Sequence, residues 1–215
     1  MKLKWLGHAS FLITASDGTR IITDPYKTGG PLTYAPIAES ADIVTVSHEH
    51  GDHSNAGAVK GNPQVVRGAG STTIRGVTIR GVATYHDTEQ GRQRGPNTVF
   101  VITVDGVRVV HLGDLGHALD EKQRQEVGPV DVLLTPVGGT YAIDGPTAAQ
   151  VADALKARVT VPMHPRNARC TYPITDAGPF LAKRVNVRTV DGSEVEFTKE
   201  RLPEKAETVV LKHAL

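Results

Sequence analysis

The sequence predicts an α/β fold in which two β-sheets pack together with helices on the outside, and three features of its pattern carry that expectation. Asp-Gly pairs at 17–18, 105–106 and 191–192 each stand between runs of β-branched and apolar residues, the signature of tight hairpins. The stretches "ADIVTVSH" and "VDVLLTPVG" are nearly continuous in apolar residues, as strands covered on both faces are. "PTAAQVADALKA", residues 146–157, opens with Pro146 and lines up Val151, Ala154 and Leu155 as an apolar stripe, which reads as a helix running into the strand "VTVPMH".

Taken in order, residues 2–15 and 19–25 form the first predicted hairpin, turning at Asp17-Gly18. "TIRGVTIRGVATYH" (73–86) alternates in short bursts, with glycines that imply a bend. "TVFVITVDGVRVVHLGD" is the second hairpin and "VNVRTVDGSEVEFT" the third. Residues 119–126 and 174–183 carry weaker helical patterns. No linker, low-complexity tract or long repeat interrupts the chain, so residues 1–215 read as a single domain.

Composition excludes several classes. A formal net charge of +1 provides no electrostatic footprint for nucleic acid or anionic membrane, and the short basic clusters at 92–94, 183–184 and 199–205 read as solvated surface. Cys170 is the only cysteine, which rules out an internal disulfide and a thiolate metal cluster. The opening "MKLKWLGHASFLITA" lacks the unbroken apolar core of a secretion signal, and no stretch nears the ~18–20 apolar residues of a membrane span. A cytoplasmic protein with a small-molecule substrate is expected; self-association is left open.

The chemistry concentrates in "SHEHGDHSN", residues 47–55. It follows a predicted buried strand. Side chains two apart in extended chain point the same way, so His48 and His50 can grip one ion together. Asp52 and His53 are adjacent and diverge, so the turn can serve a second position. One loop cannot close the shell around two ions. His86, Asp114 and His164 each end a predicted strand and are the distant partners. Asp114 can bridge, because a carboxylate has two oxygens and an imidazole offers one lone pair. His111 competes with His86, but its odd separation from Asp114 turns it to the other face of a regular strand.

His48-X-His50-X-Asp52-His53, followed by a lone His, an Asp in "GD" and a late His, resembles the metallo-β-lactamase superfamily. "WLGHASFLI", "TDP" at 23–25, "HLGDLGH" and "PVGGTYAID" resemble its branch of small stand-alone metal-dependent hydrolases, which includes the ascorbate-6-phosphate lactonases. The likeness covers residues 3–166. It implies a four-layer αββα sandwich of two mixed sheets with the metals at one edge. It also implies that His48, His50 and His86 hold one ion and Asp52, His53 and His164 the other, with Asp114 between. Class B lactamases supply a cysteine near the Asp114 position and carry a secretion signal; neither is seen here, so β-lactam hydrolysis is not expected.

An imidazole and carboxylate ligand set suits two divalent ions, zinc first and manganese second, with Fe(II) and Ni(II) also fitting. Two cations flanking a water lower its pKa from ~16 towards neutrality, and the hydroxide attacks a small ester, lactone or phosphoester. Asp52 would orient that hydroxide or act as a general base, and His117 would donate a proton or grip a substrate oxygen. Asp24 is placed to hold the second nitrogen of a ligand histidine, and the resemblance sets His8 along the site. Arg92, Arg94 and Asn97, in the polar loop 87–97, would bind an anionic group. "PVGGTY" (136–141) is a candidate loop beside the pocket, and His213 reads as surface. The rival readings are a phosphodiesterase or nuclease, and a non-catalytic metal-binding or metabolite-sensing module.

Overall fold

The computed structural model describes residues 1–215. In chain order its first strands are β1 (Lys2–Gly7), β2 (Ser10–Thr14), β3 (Arg20–Thr23), β4 (Ile43–Val46), β5 (Gln64–Arg67), β6 (Gly70–Ile74) and β7 (Val77–Tyr85). They are followed by β8 (Pro96–Val104), β9 (Val107–His111), helix α1 (Glu121–Val127), β10 (Val132–Pro136), helix α2 (Gly145–Ala154) and β11 (Val159–Met163). The chain ends with helix α3 (Gly178–Leu181), β12 (Val187–Thr189), β13 (Glu194–Glu196) and β14 (Glu207–Val210).

Two mixed sheets result, as expected. The first has the order β13-β1-β2-β3-β4-β5 and the second β12-β14-β11-β10-β9-β8-β7-β6. Antiparallel pairing from β1 to β3 gives way to parallel pairing with β4 and β5. The second sheet switches likewise at β9, antiparallel to β8 and parallel to β10. The strands read as buried on both faces, β4 and β10, are buried at every position, and so is β11. Between the sheets lies a core of residues such as Phe11, Ile13 and Ile21 facing Phe100, Ile102 and Val161.

The outer layers are unequal. Leu119, Val127, Val151, Leu155 and Phe180, from the helices and the residues flanking them, cover the second sheet through Val101, Val110 and Leu133. The first sheet is covered instead by Tyr26, Leu32, Tyr34 and Ile37, which pack on Leu12, Ile22 and Val44. Those four residues lie in the Gly- and Pro-containing segment 24–41, so this face of the sandwich has a coat of loop and a single 3-10 turn at Ala56–Ala58.

Local chemistry explains the helices. Asp120 caps α1 by accepting from the Gln123 amide at 2.7 Å, and the Gln123 side chain returns a bond to the Asp120 amide at 3.1 Å. Asp144 caps α2 through the Thr147 amide. The helical pattern at 174–183 shrinks to Gly178–Leu181, because Pro179 is tolerated only in a first turn.

Two strand expectations need correction. Residues 2–15 are not one strand: a turn at Gly7 and His8, both at positive φ, folds β2 back on β1. The Asp191-Gly192 pair is not a hairpin. β12 joins the second sheet beside β14, whereas β13 crosses to pair with β1 in the first. Gly18 and Gly106 adopt the positive φ that tight hairpins require, and Gly192 does not.

Candidate metal centre

Strand ends build the site. Asp24 follows β3, the 47–53 loop follows β4, His86 follows β7, Asp114 lies just beyond β9, and His164 follows β11. The β1–β2 turn adds His8. His8, Asp24 and His164 are three of nine non-glycine residues with positive φ, so backbone strain concentrates here. Two glycines allow the Asp114 loop to press in. A Cβ on Gly113 would stand 2.4 Å from Asn97 Oδ1, and one on Gly116 would stand 2.2 Å from the Asp87 nitrogen.

The side chains converge on Asp114. Its Oδ2 lies 3.3 Å from His53 Nε2, 3.4 Å from His86 Nε2, 3.5 Å from His164 Nε2 and 3.9 Å from His48 Nε2. Ligand-capable atoms of His48, His50 and His86 lie within 4.8 Å of one another, as do those of His8, Asp52, His53 and His164. His50 is exposed at the mouth, whereas His48, His53, His86 and His164 are buried.

Asp24 supports two of these rings. It accepts from His53 Nδ1 at 2.8 Å, from the Ser47 amide at 2.8 Å, and from the Ser47 hydroxyl. Ser47 Oγ in turn lies 2.9 Å from His48 Nδ1. Both rings therefore turn Nε2 towards Asp114. His8 Nε2 lies 3.2 Å from Asp52 Oδ2, and its ring lies 3.9 Å from that of His164. Cys170 is buried behind His8, with Sγ 3.9 Å from Nδ1.

Electrostatics follow from burial and these contacts. Burial, aided by His164, pushes His8 down to about 3, and burial with His53 pushes His48 down to about 3, so both are neutral near pH 7. Burial opposes ionisation of Asp114, but His164 and His53 outweigh it and hold the carboxyl well below its usual range. His53 goes the other way: burial disfavours its charge, yet Asp114 and Asp24 raise it well above an ordinary histidine.

The donor set fits divalent cations. His48 Nε2, His53 Nε2, Asp114 Oδ1 and both ring nitrogens of His164 are buried without a hydrogen-bond partner. Unpaired buried polar atoms are costly, and a cation between them would satisfy several at once.

Several sequence expectations meet different surroundings. Asn97 is buried and engaged within the protein: its amide donates to Thr84 Oγ1 at 2.8 Å and Leu112 O at 3.0 Å, and its oxygen accepts from the Asp114 amide at 3.0 Å. It positions Asp114. His117 does not reach the cavity, since its Nε2 accepts from the Tyr85 amide and its Nδ1 donates to Ala118 O. His111 donates to Ala9 O at 2.8 Å and accepts from the Gly113 amide, so His86 stands beside Asp114 in its place. Arg92 pairs with Glu89 at the surface. His213 is half-buried, edge-on to Tyr34 at 5.1 Å.

A cavity of about 340 Å³ opens over the cluster, lined by His50, Asp52, His86, Arg94, Asp114, Tyr141 and Tyr172. Tyr141 ends the flagged "PVGGTY" stretch. No sequence signal marks Tyr172, which lies in an irregular segment after His164, nor Ser47. Asp87 was also unmarked. Its carboxylate accepts the amides of Glu89, Gly91, Gln93 and Arg94 at 2.7–3.0 Å and organises the loop that carries Arg94.

A family model described as a beta-lactamase superfamily domain matches residues 2–164. A metal-dependent hydrolase of Thermococcus onnurineus is 32% identical, the match covering 99% of this chain and 96% of that one. Another from Pelotomaculum thermopropionicum is 33% identical over 92% of this chain and 96% of that one. A crystal structure from Thermotoga maritima superposes with a TM-score of 0.82 at 38% identity, covering 98% of this chain and 97% of that one. That protein is itself a proposed zinc-dependent hydrolase of the metallo-beta-lactamase superfamily. No helix here is long and apolar enough to cross a membrane.

Proposed function

The chain belongs to the beta-lactamase superfamily, and from that premise we propose that it is a dinuclear metal-dependent hydrolase of a small ester, lactone or phosphoester. One observation carries the reading: buried imidazole nitrogens without partners surround Asp114. His48, His50 and His86 would hold one ion, Asp52, His53 and His164 the other, and Asp114 would lie between them. Zinc is the first assignment and manganese the second, both matching an all-imidazole and carboxylate set. Bound ions of this kind supply a hydroxide nucleophile at neutral pH and polarise the oxygen that becomes anionic.

The protein's own groups do the rest. Asp24 and Ser47 fix ring orientation and tautomer for His53 and His48. Asp52, which lines the cavity and is held by His8, would accept a hydrogen bond from the attacking water and take up its proton later. No serine or cysteine nucleophile is required, and Cys170 is buried away from the cavity lining.

The test is metal-replete protein, quantified by elemental analysis, against p-nitrophenyl acetate, γ-butyrolactone and bis(p-nitrophenyl) phosphate. Hydrolysis of an ester or lactone that chelation removes is expected, with His50→Ala losing metal and turnover together. His50 is exposed, so this change spares the core. A fully metallated protein inert towards the whole panel, or an active His50→Ala variant with full metal content, contradicts the reading. Cleavage of the phosphodiester alone would favour the phosphodiesterase alternative.

A further inference from the structure

The cavity has a wall that the metal cluster does not use. Arg94 reaches over the Tyr141 ring, with Cζ 5.8 Å from its centroid. Tyr141 and Tyr172 meet edge to face at 5.8 Å, and Tyr172 lies 6.0 Å from the His8 ring. Neighbouring arginines already have partners: Arg92 pairs with Glu89 at 2.7 Å and Arg67 with Glu49 at 3.0 Å. Arg94 forms no ion pair, and its guanidinium makes no hydrogen bond to the protein. A fork of N–H donors therefore faces the cavity unanswered. The position is prepared, because Asp87 accepts the Arg94 amide at 2.8 Å and holds the backbone beneath it. Tyr172 remains a neutral phenol, pushed up to about 12 by burial and by Asp52.

We propose that Arg94 is the anion anchor of this cavity. The substrate is a small ester or lactone with a carboxylate or phosphate remote from the bond that is cut. Its acidic group offers paired oxygens to the guanidinium fork, and its planar or apolar body rests on Tyr141 and Tyr172. A cavity of about 340 Å³ limits that body to roughly the size of one ring. Asp52 and Asp114 would not repel the anion once cations bound beside them neutralised their charge; this rests on the hydrolase reading above. Such an anchor spends binding energy away from the reacting centre to orient it.

The test compares p-nitrophenyl esters of acetic, succinic and 3-phosphonopropanoic acids on the metal-loaded protein. It also measures calorimetric binding of two inert amides, acetanilide and succinanilic acid. Both acidic esters are expected to exceed the acetate in kcat/KM by about tenfold or more, as charge-assisted hydrogen bonds imply. The ratio between the two acidic esters tells carboxylate from phosphate. Succinanilic acid is expected to bind at least about tenfold more tightly than acetanilide. Arg94→Gln should erase that preference, and Arg94→Lys should restore part of it, keeping the charge but not the fork. Equal binding of the two amides, or an unchanged preference in Arg94→Gln, overturns the proposal. Arg94-dependent binding by a protein that hydrolyses none of these esters, nor the lactone and phosphodiester of the earlier panel, supports the anchor and instead rejects the hydrolase reading.

Discussion

Asp24 shows how much a single carboxylate can organise. It is fully buried and grips His53 directly and His48 through Ser47. Asp24→Ala should lower metal affinity by about 10- to 100-fold, read by competition with a chromophoric chelator; an unchanged affinity would mean that the rings orient themselves. Protons provide a second handle. His53, raised by its two carboxylate neighbours against the cost of burial, holds its proton at neutral pH, and a cation must displace it. Metal affinity should therefore rise with pH until His53 loses that proton unaided. Calorimetry in buffers of different ionisation enthalpy should record about one proton released from His53 near neutrality, in addition to the one lost by the water that becomes hydroxide. At this scale the 48–53 cluster was legible because its side chains are neighbours in sequence. Asp24 was legible as a support because it ends a strand. Tyr172 was invisible, since an irregular segment carries no period to read. His117 misled because its spacing from Asp114 says nothing of the bend at His117 itself, which directs it to the Tyr85 backbone.

Elements were legible where pattern and capping agreed. Residues 146–157 announced α2 by the Pro146 start and the apolar stripe, and the observed helix stops a turn sooner, with Lys156 at positive φ. The Asp191-Gly192 pair carried the same letters as two true hairpins, yet its flanking strands serve different sheets. Local turn chemistry cannot reveal which sheet a strand will join. The loop between β9 and α1 carries the sharpest steric demand in the site. Gly113 has φ +58, and a Cβ there would meet Asn97 Oδ1 at 2.4 Å and Ser47 Cβ at 2.6 Å. Gly113→Ala should cost about 2 kcal/mol or more in chemical denaturation, combining strain with overpacking. It should also lower metal content, because Asp114 is the next residue. A variant with wild-type stability and metal would show that the loop can yield.

Across the whole molecule, the centre exists only because two sheets deliver their strand ends to one edge. Asp24 and the 48–53 loop come from the first sheet, and His86, Asp114 and His164 from the second. Sequence reading anticipated that His86, Asp114 and His164 end strands, but not the unequal coats of the sandwich. Buried tyrosines in a loop of mixed pattern replace a helix there, and aromatic burial leaves no periodic trace. The loop tied down by Asp87 has a consequence for how ligands enter. Four of its amides are satisfied by one carboxylate of the loop itself, so the entrance should behave as a fixed rim and not a lid. Deuterium exchange at Glu89, Gly91, Gln93 and Arg94 should be slow before anything binds, and ligand should slow it little further. Rapid exchange there in metal-free protein would make the rim a moving gate.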